Sequence, residues 1–155
     1  NYLQQLFINI GTAKVSTSAH EAYEMSILRK GTDGISINPD RRIADAKRRV
    51  LLMHEQGYTQ PIQRTDIKVQ GRGGLGPILA GTHGMFRGNY ISEYDLFIAE
   101  KLAYVMCGGD LSGATLVSEQ YLLDLEREAF LSLCGQRKTL ERLQSILQTG
   151  KPLRN

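Results

Sequence analysis

Nowhere does the chain carry an apolar run approaching the roughly 18–20 residues that a membrane-spanning helix needs, and nothing in it has the layout of a signal peptide. Charge of one sign is also scarce. The 19 basic and 16 acidic side chains leave a net charge of only +3, too little by itself to call for a nucleic-acid partner. Cysteine is limited to Cys107 and Cys134, which are far apart and fit no metal-binding spacing. Each stands just before a glycine at an expected helix end, and both are read as small buried thiols in a reducing compartment. A cytoplasmic location is the expectation. The three histidines, His20, His54 and His83, lack any mutual spacing suited to zinc. No nucleophile elbow is present. The tail Thr149-Gly150-Lys151 is not a P-loop, because Ser145 stands where that motif needs its first glycine.

What is there is an ordinary composition, 41% hydrophobic and 23% charged, over 155 residues. That is enough for a domain with a real core. The signals along it are mostly helix starts and stops. Tyr2, Leu3, Leu6, Phe7 and Ile10 recur at helical spacing from the second residue onward. A chain that begins inside an amphipathic helix predicts a fragment of something longer, whereas the end reads as natural: helix, Gly150, Pro152, short basic tail. Ser18-x-x-Glu21 is a capping-box pattern that predicts a short helix to about Leu28. Ile35-Ser36-Ile37 suggests a brief strand. Asn38-Pro39 and Gly57 bracket a helix over about 39–56. Ser92-x-x-Asp95 opens a long helix that stops at Gly108-Gly109, Ser118 opens another that stops at Gly135, and a last one runs over about 139–149.

These signals predict a mainly α unit of five to seven helices with little or no sheet. They place helices in 1–57 and 90–155 and an irregular glycine-rich connection over 58–89. Within that connection GRGGLG, residues 71–76, matches G-x-G-x-x-G letter for letter. A dinucleotide site needs a strand before this motif, a helix after it and an acid ending a second strand about 20 residues on. Here the preceding segment is short, the following one is a poor helix former, and Glu93 and Asp95 begin a helix. The stretch is therefore read as a flexible surface loop.

Three further features bear on function. At 100° per residue, Arg41, Arg42, Arg48 and Arg49 fall in one arc of roughly 120° with Asp45 in its middle, and Ile43, Ala46, Val50 and His54 lie opposite. This is either a phosphate or nucleic-acid contact or a solvated face with ion pairs to Asp45, and the solvated face is the expectation. His54 is expected to pack. Glu126 falls within the apolar arc of Tyr121, Leu122, Leu125, Ala129 and Leu133, so a structural ion pair with Arg137 or Arg142 is expected. Glu126 and Glu128 point apart and cannot share a site on one helix. The helix over 93–107 is apolar on nearly every side, which predicts a central position or a partner.

Two stretches carry a family resemblance. AKVSTSAHEAYEMSIL (13–28) resembles a crotonase segment that follows the catalytic region. VSEQYLLDLEREAFLSLCGQRKTLERLQSILQTGKPLRN (117–155) is similar to the C-terminus of long bacterial 3-hydroxyacyl-CoA dehydrogenases of fatty-acid β-oxidation. GISINPDRRIADAKRR (34–49) and YISEYDLFIAEKLAYVMCGGDLSGATLVSEQ (90–120) also resemble that family. The resemblance implies a parent with an NAD-dependent dehydrogenase part first and an enoyl-CoA hydratase-like part last. It places the oxyanion-hole amides, the catalytic acids and the dinucleotide glycines upstream, so no catalytic or metal residue is carried over. It implies C-terminal helices that cover the acyl-CoA site and build subunit contacts, with the upstream chain and further copies as partners and no nucleic acid. Lys151 and Arg154 are the positions nominated to approach the CoA nucleotide. The fragment alone is expected to be inactive. The alternative is a stand-alone CoA-ester-binding or assembly module.

Overall fold

The computed structural model describes Tyr2–Asn155. Among the described residues, seven α-helices, one 3-10 turn and two short strands run in the order α1 (Tyr2–Gly11), α2 (Ala19–Glu24), the 3-10 turn Pro39–Arg41, α3 (Arg42–Glu55), β1 (Ile67–Val69), α4 (Arg72–Arg87), α5 (Glu93–Met106), β2 (Thr115–Val117), α6 (Glu119–Cys134) and α7 (Arg137–Thr149). The mainly α expectation holds. The small sheet pairs β1 and β2 antiparallel, with Ile67 opposite Val117 and Val69 opposite Thr115. Two compact units result, one built from residues 2–13 and 63–155 and the other from residues 14–62.

The larger unit is organised around α5, which packs against α1, α4 and α6. Its all-round apolar surface is used in that way, as expected of a central helix. Phe7, Ile78, Ala103 and Cys107 form the buried core, and Leu75, Leu79 and Leu102 close around them. Ser92 caps α5 in a full capping box, with its hydroxyl receiving the Asp95 amide and the Asp95 carboxylate receiving the Ser92 amide. Gly108 and Gly109 end the helix at φ +87° and +78°. A Cβ on Gly108 would stand 2.5 Å from Val69, so the tight stop also lets β1 pass close. The Tyr121 hydroxyl donates to the Gly108 carbonyl at 2.9 Å and fastens α6 to the same corner.

The irregular connection expected over 58–89 does not hold over its second half, because α4 occupies Arg72–Arg87. Its glycines and Pro77 lower helix propensity, but packing decides. Ile78 and Thr82 are buried, and Gly74 lies close enough to Cys107 that a Cβ would be 3.5 Å from its sulfur.

In the smaller unit the Ser18 hydroxyl receives the Glu21 amide at 3.1 Å. The Glu21 carboxylate turns to the Thr17 amide and hydroxyl, both at 2.7 Å. Helix α2 ends at Glu24 rather than near Leu28, because Ser26 takes φ +58°. The expected strand at Ile35-Ser36-Ile37 does not form; the segment is irregular and Ile37 is 93% exposed. Ala22 is the buried apolar residue here, while Ile43 and Val50 are 85% and 64% exposed.

Candidate functional site

The glycine stretch 71–76 is neither a flexible loop nor a dinucleotide cradle. It is the N-cap and the start of α4. Gly71 is buried and adopts φ +57° with ψ −148°. A Cβ there would stand 2.6 Å from the carbonyl oxygens of both Leu111 and Gly113, so glycine is required by both conformation and space. The Gly71 amide donates to the Cys107 carbonyl and the Arg72 amide to the Leu111 carbonyl, each at 2.9 Å. The Gly74 and Leu75 amides both turn back to the Gly71 carbonyl at 3.1 Å. Amides that would face a pyrophosphate in a βαβ unit are thus engaged within the chain, and β1 pairs antiparallel rather than parallel. Arg72 meets Asp110 at 2.6 Å, but the pair is mostly exposed and contributes little.

The arginine arc on α3 is exposed, as expected of a solvated face, and borders a groove. A groove of about 590 Å³ lies between residues 31–36 and α3, and Arg42, Arg48, Arg49, Asp45 and Leu52 line its helical side. The Ser36 hydroxyl donates to the Asp45 carboxylate at 2.7 Å, and Arg41 approaches the same carboxylate at 3.8 Å. Arg49 donates to the Thr32 carbonyl at 3.3 Å, and Arg42 to the Pro39 carbonyl at 2.8 Å. The opposite face, read from the sequence as the packing face, is exposed as well. His54 is exposed with it, which corrects the expectation of a packed histidine. Periodicity separates two faces of a helix; whether either is covered depends on what else is present.

The tail segment holds a polar cluster that sequence reasoning did not find. Arg142 of α7 donates through Nη1 to Asp95 of α5 at 2.7 Å and through Nε to the Asn155 side-chain oxygen at 2.8 Å. The Asn155 amide donates to Glu141 at 2.9 Å, and the Ser92 hydroxyl donates to the Asn155 main-chain oxygen at 3.1 Å. The Arg142 guanidinium also lies 5.0 Å from the centroid of the buried Tyr94 ring, a cation–π contact strengthened by partial desolvation. Partial burial pushes the Asp95 carboxyl up, but the Ser92 amide and the Arg142 guanidinium more than offset it and hold it below the ordinary carboxylate value. The Asn155 amide and Arg137 hold Glu141 low in the same way. The only local signal was the capping box at Ser92; the second partner of Asp95 lies 47 residues away.

Lys151 and Arg154 are both exposed. The Lys151 main chain is engaged, its carbonyl by the Ser145 hydroxyl and its amide by Thr149. Neither cationic head is in an ion pair among the described residues. Glu126 is exposed rather than buried. Arg137 pairs with Glu141 and Arg142 with Asp95, so the expected pair with Glu126 does not form. Cys107 is fully buried and Cys134 half-buried, and both are free thiols. His83 reaches Glu100 across α4 and α5 at 3.2 Å. No described helix is long and apolar enough to cross a membrane.

Over its full 155 residues the chain is 46% identical to a Bacillus subtilis (strain 168) protein named probable 3-hydroxyacyl-CoA dehydrogenase. It spans 19% of that protein's length, so all of it aligns with a part, not the whole, of such a protein. No family model matches the chain, and no solved structure matches it.

Proposed function

We propose that the chain is a helical piece of a 3-hydroxyacyl-CoA dehydrogenase polypeptide of fatty-acid β-oxidation. In this reading it covers the acyl-CoA site and makes subunit contacts, while chemistry resides in the rest of the polypeptide. The observation that carries the reading is 46% identity along the entire chain to a protein so named. The resemblance of residues 13–28 to a crotonase segment adds an enoyl-CoA hydratase-like part to the parent. NAD and the acyl-CoA substrate belong to that parent, in a cytoplasmic setting. This chain's glycine motif does not fit the dinucleotide, since the Gly71 and Arg72 amides bond to the Cys107 and Leu111 carbonyls. Lys151 and Arg154, exposed and unpaired, are proposed to approach the CoA nucleotide.

The smaller unit supports a covering role. Its α3 exposes Ile43, Val50 and Leu51 on one face, surface that the remainder of a longer polypeptide would bury. A second reading, an assembly element, is favoured by Phe130 and Leu131 of α6 and Leu140 and Leu147 of α7, all mostly exposed.

The test is NADH formation from 3-hydroxybutyryl-CoA, measured for this chain alone and for the complete polypeptide. Turnover by the complete polypeptide and none by the chain alone is expected. Turnover by the 155 residues alone, or none by the complete polypeptide, would contradict the reading.

A further inference from the structure

The groove between residues 31–36 and α3 has an unbalanced charge. Two carboxylates line it, Asp33 and Asp45, and each already has an arginine that is not part of the lining. Asp33 receives the Arg29 amide at 2.7 Å and faces its guanidinium at 3.8 Å. Asp45 receives the Ser36 hydroxyl and faces Arg41. Arg42, Arg48 and Arg49 therefore stand around the groove without a carboxylate of their own. Arg42 spends only its Nε on Pro39, and Arg49 makes one long bond to Thr32, so most of their planar N–H edges are free. Arg48 makes no ion pair among the described residues. Guanidinium edges match the oxygens of a phosphate in pairs. With Asp33 and Asp45 already engaged by Arg29 and Arg41, the three exposed guanidinium groups leave the groove net positive and favour an anion there. Gly31 and Gly34 on the facing wall have nothing within 4 Å of where a Cβ would be, which leaves room for a bulky anion. The volume, about 590 Å³, lies inside the roughly 300–1,000 Å³ range of small-molecule sites.

We propose that this groove binds a multiply charged phosphate ester, a diphosphate group, with Arg42, Arg48 and Arg49 as its anchors. The inference rests on the groove alone and does not depend on the reading given under Proposed function.

The experiment is calorimetric titration of the full chain with pyrophosphate and with ADP, beside sulfate as a control anion. Pyrophosphate is expected to saturate one site per chain, with affinity that falls as salt is raised. The exposed double variant Arg48→Gln, Arg49→Gln is expected to lose at least about tenfold in affinity, because each substitution removes charge-assisted hydrogen bonds. Arg137→Gln, on α7, is expected to change nothing. Tighter binding of ADP than of pyrophosphate would mark a nucleotide ester as the source; equal binding would mark the diphosphate alone. On the unaltered chain, pyrophosphate is expected to slow hydrogen exchange in 31–36 and 42–52. The proposal is overturned if the double variant binds as the parent does, if sulfate binds as well as pyrophosphate, or if protection appears elsewhere. Affinity for single-stranded oligonucleotides that grows with their length and exceeds that for pyrophosphate would also overturn it, in favour of a nucleic-acid contact.

Discussion

Asp95 caps α5 and pairs with Arg142 at once. Its carboxyl is held below the ordinary value when folded. The stabilisation it supplies is thus complete above the unfolded value of about 4 and lost as pH falls through the lower folded value. Asp95→Asn is expected to cost about 1–3 kcal/mol at pH 7, with the gap to the parent closing below about pH 4; denaturant melts across pH measure both. Glu126, by contrast, is exposed, so Glu126→Gln should move stability by no more than about 0.5 kcal/mol. Cys107 is fully buried and burial pushes its thiol up. A thiol reagent should therefore label Cys134 in the native chain and reach Cys107 only on unfolding.

At the scale of elements, the two kinds of glycine around α4 separate what was legible from what was not. Starts such as Ser18, Ser92 and Ser118 could be read directly, since a cap is made by residues two or three apart. Helix α4 could not, because the contacts that hold it come from α5 and from the 107–113 corner, far away in sequence. Nor could the Asp95–Arg142–Asn155 cluster, whose members are brought together by packing of distant helices. For α3 the solvated arginine arc was legible from periodicity, but not the exposure of the opposite face as well. Gly71→Ala puts a Cβ at φ +57° against two carbonyl oxygens and is expected to destabilise by about 2–4 kcal/mol. Gly81→Ala meets nothing within 4 Å on an exposed helical position. It should stabilise by about 0.5–1 kcal/mol. Thermal melts of the two variants should move in opposite directions.

At the scale of the whole molecule, the two units differ in how much apolar surface they hide. The unit around α5 has a core, with Phe7, Ile78, Ala103 and Cys107 buried together. The unit over residues 14–62 contributes Ala22 to the buried apolar residues while Ile37, Ile43, Val50 and Ile62 remain exposed. Fully burying one such side chain contributes about 1.5–3 kcal/mol, so covering these side chains would add stability that the unit lacks. That exposure fits a chain that is part of a longer polypeptide, the reading carried by the 46% identity along its whole length. Hydrogen exchange of α3 tests it most directly, in this chain alone and in the complete polypeptide. Amides of residues 42–55 are expected to exchange fast in the chain alone and to be strongly protected in the complete polypeptide. Equal protection in both would contradict it.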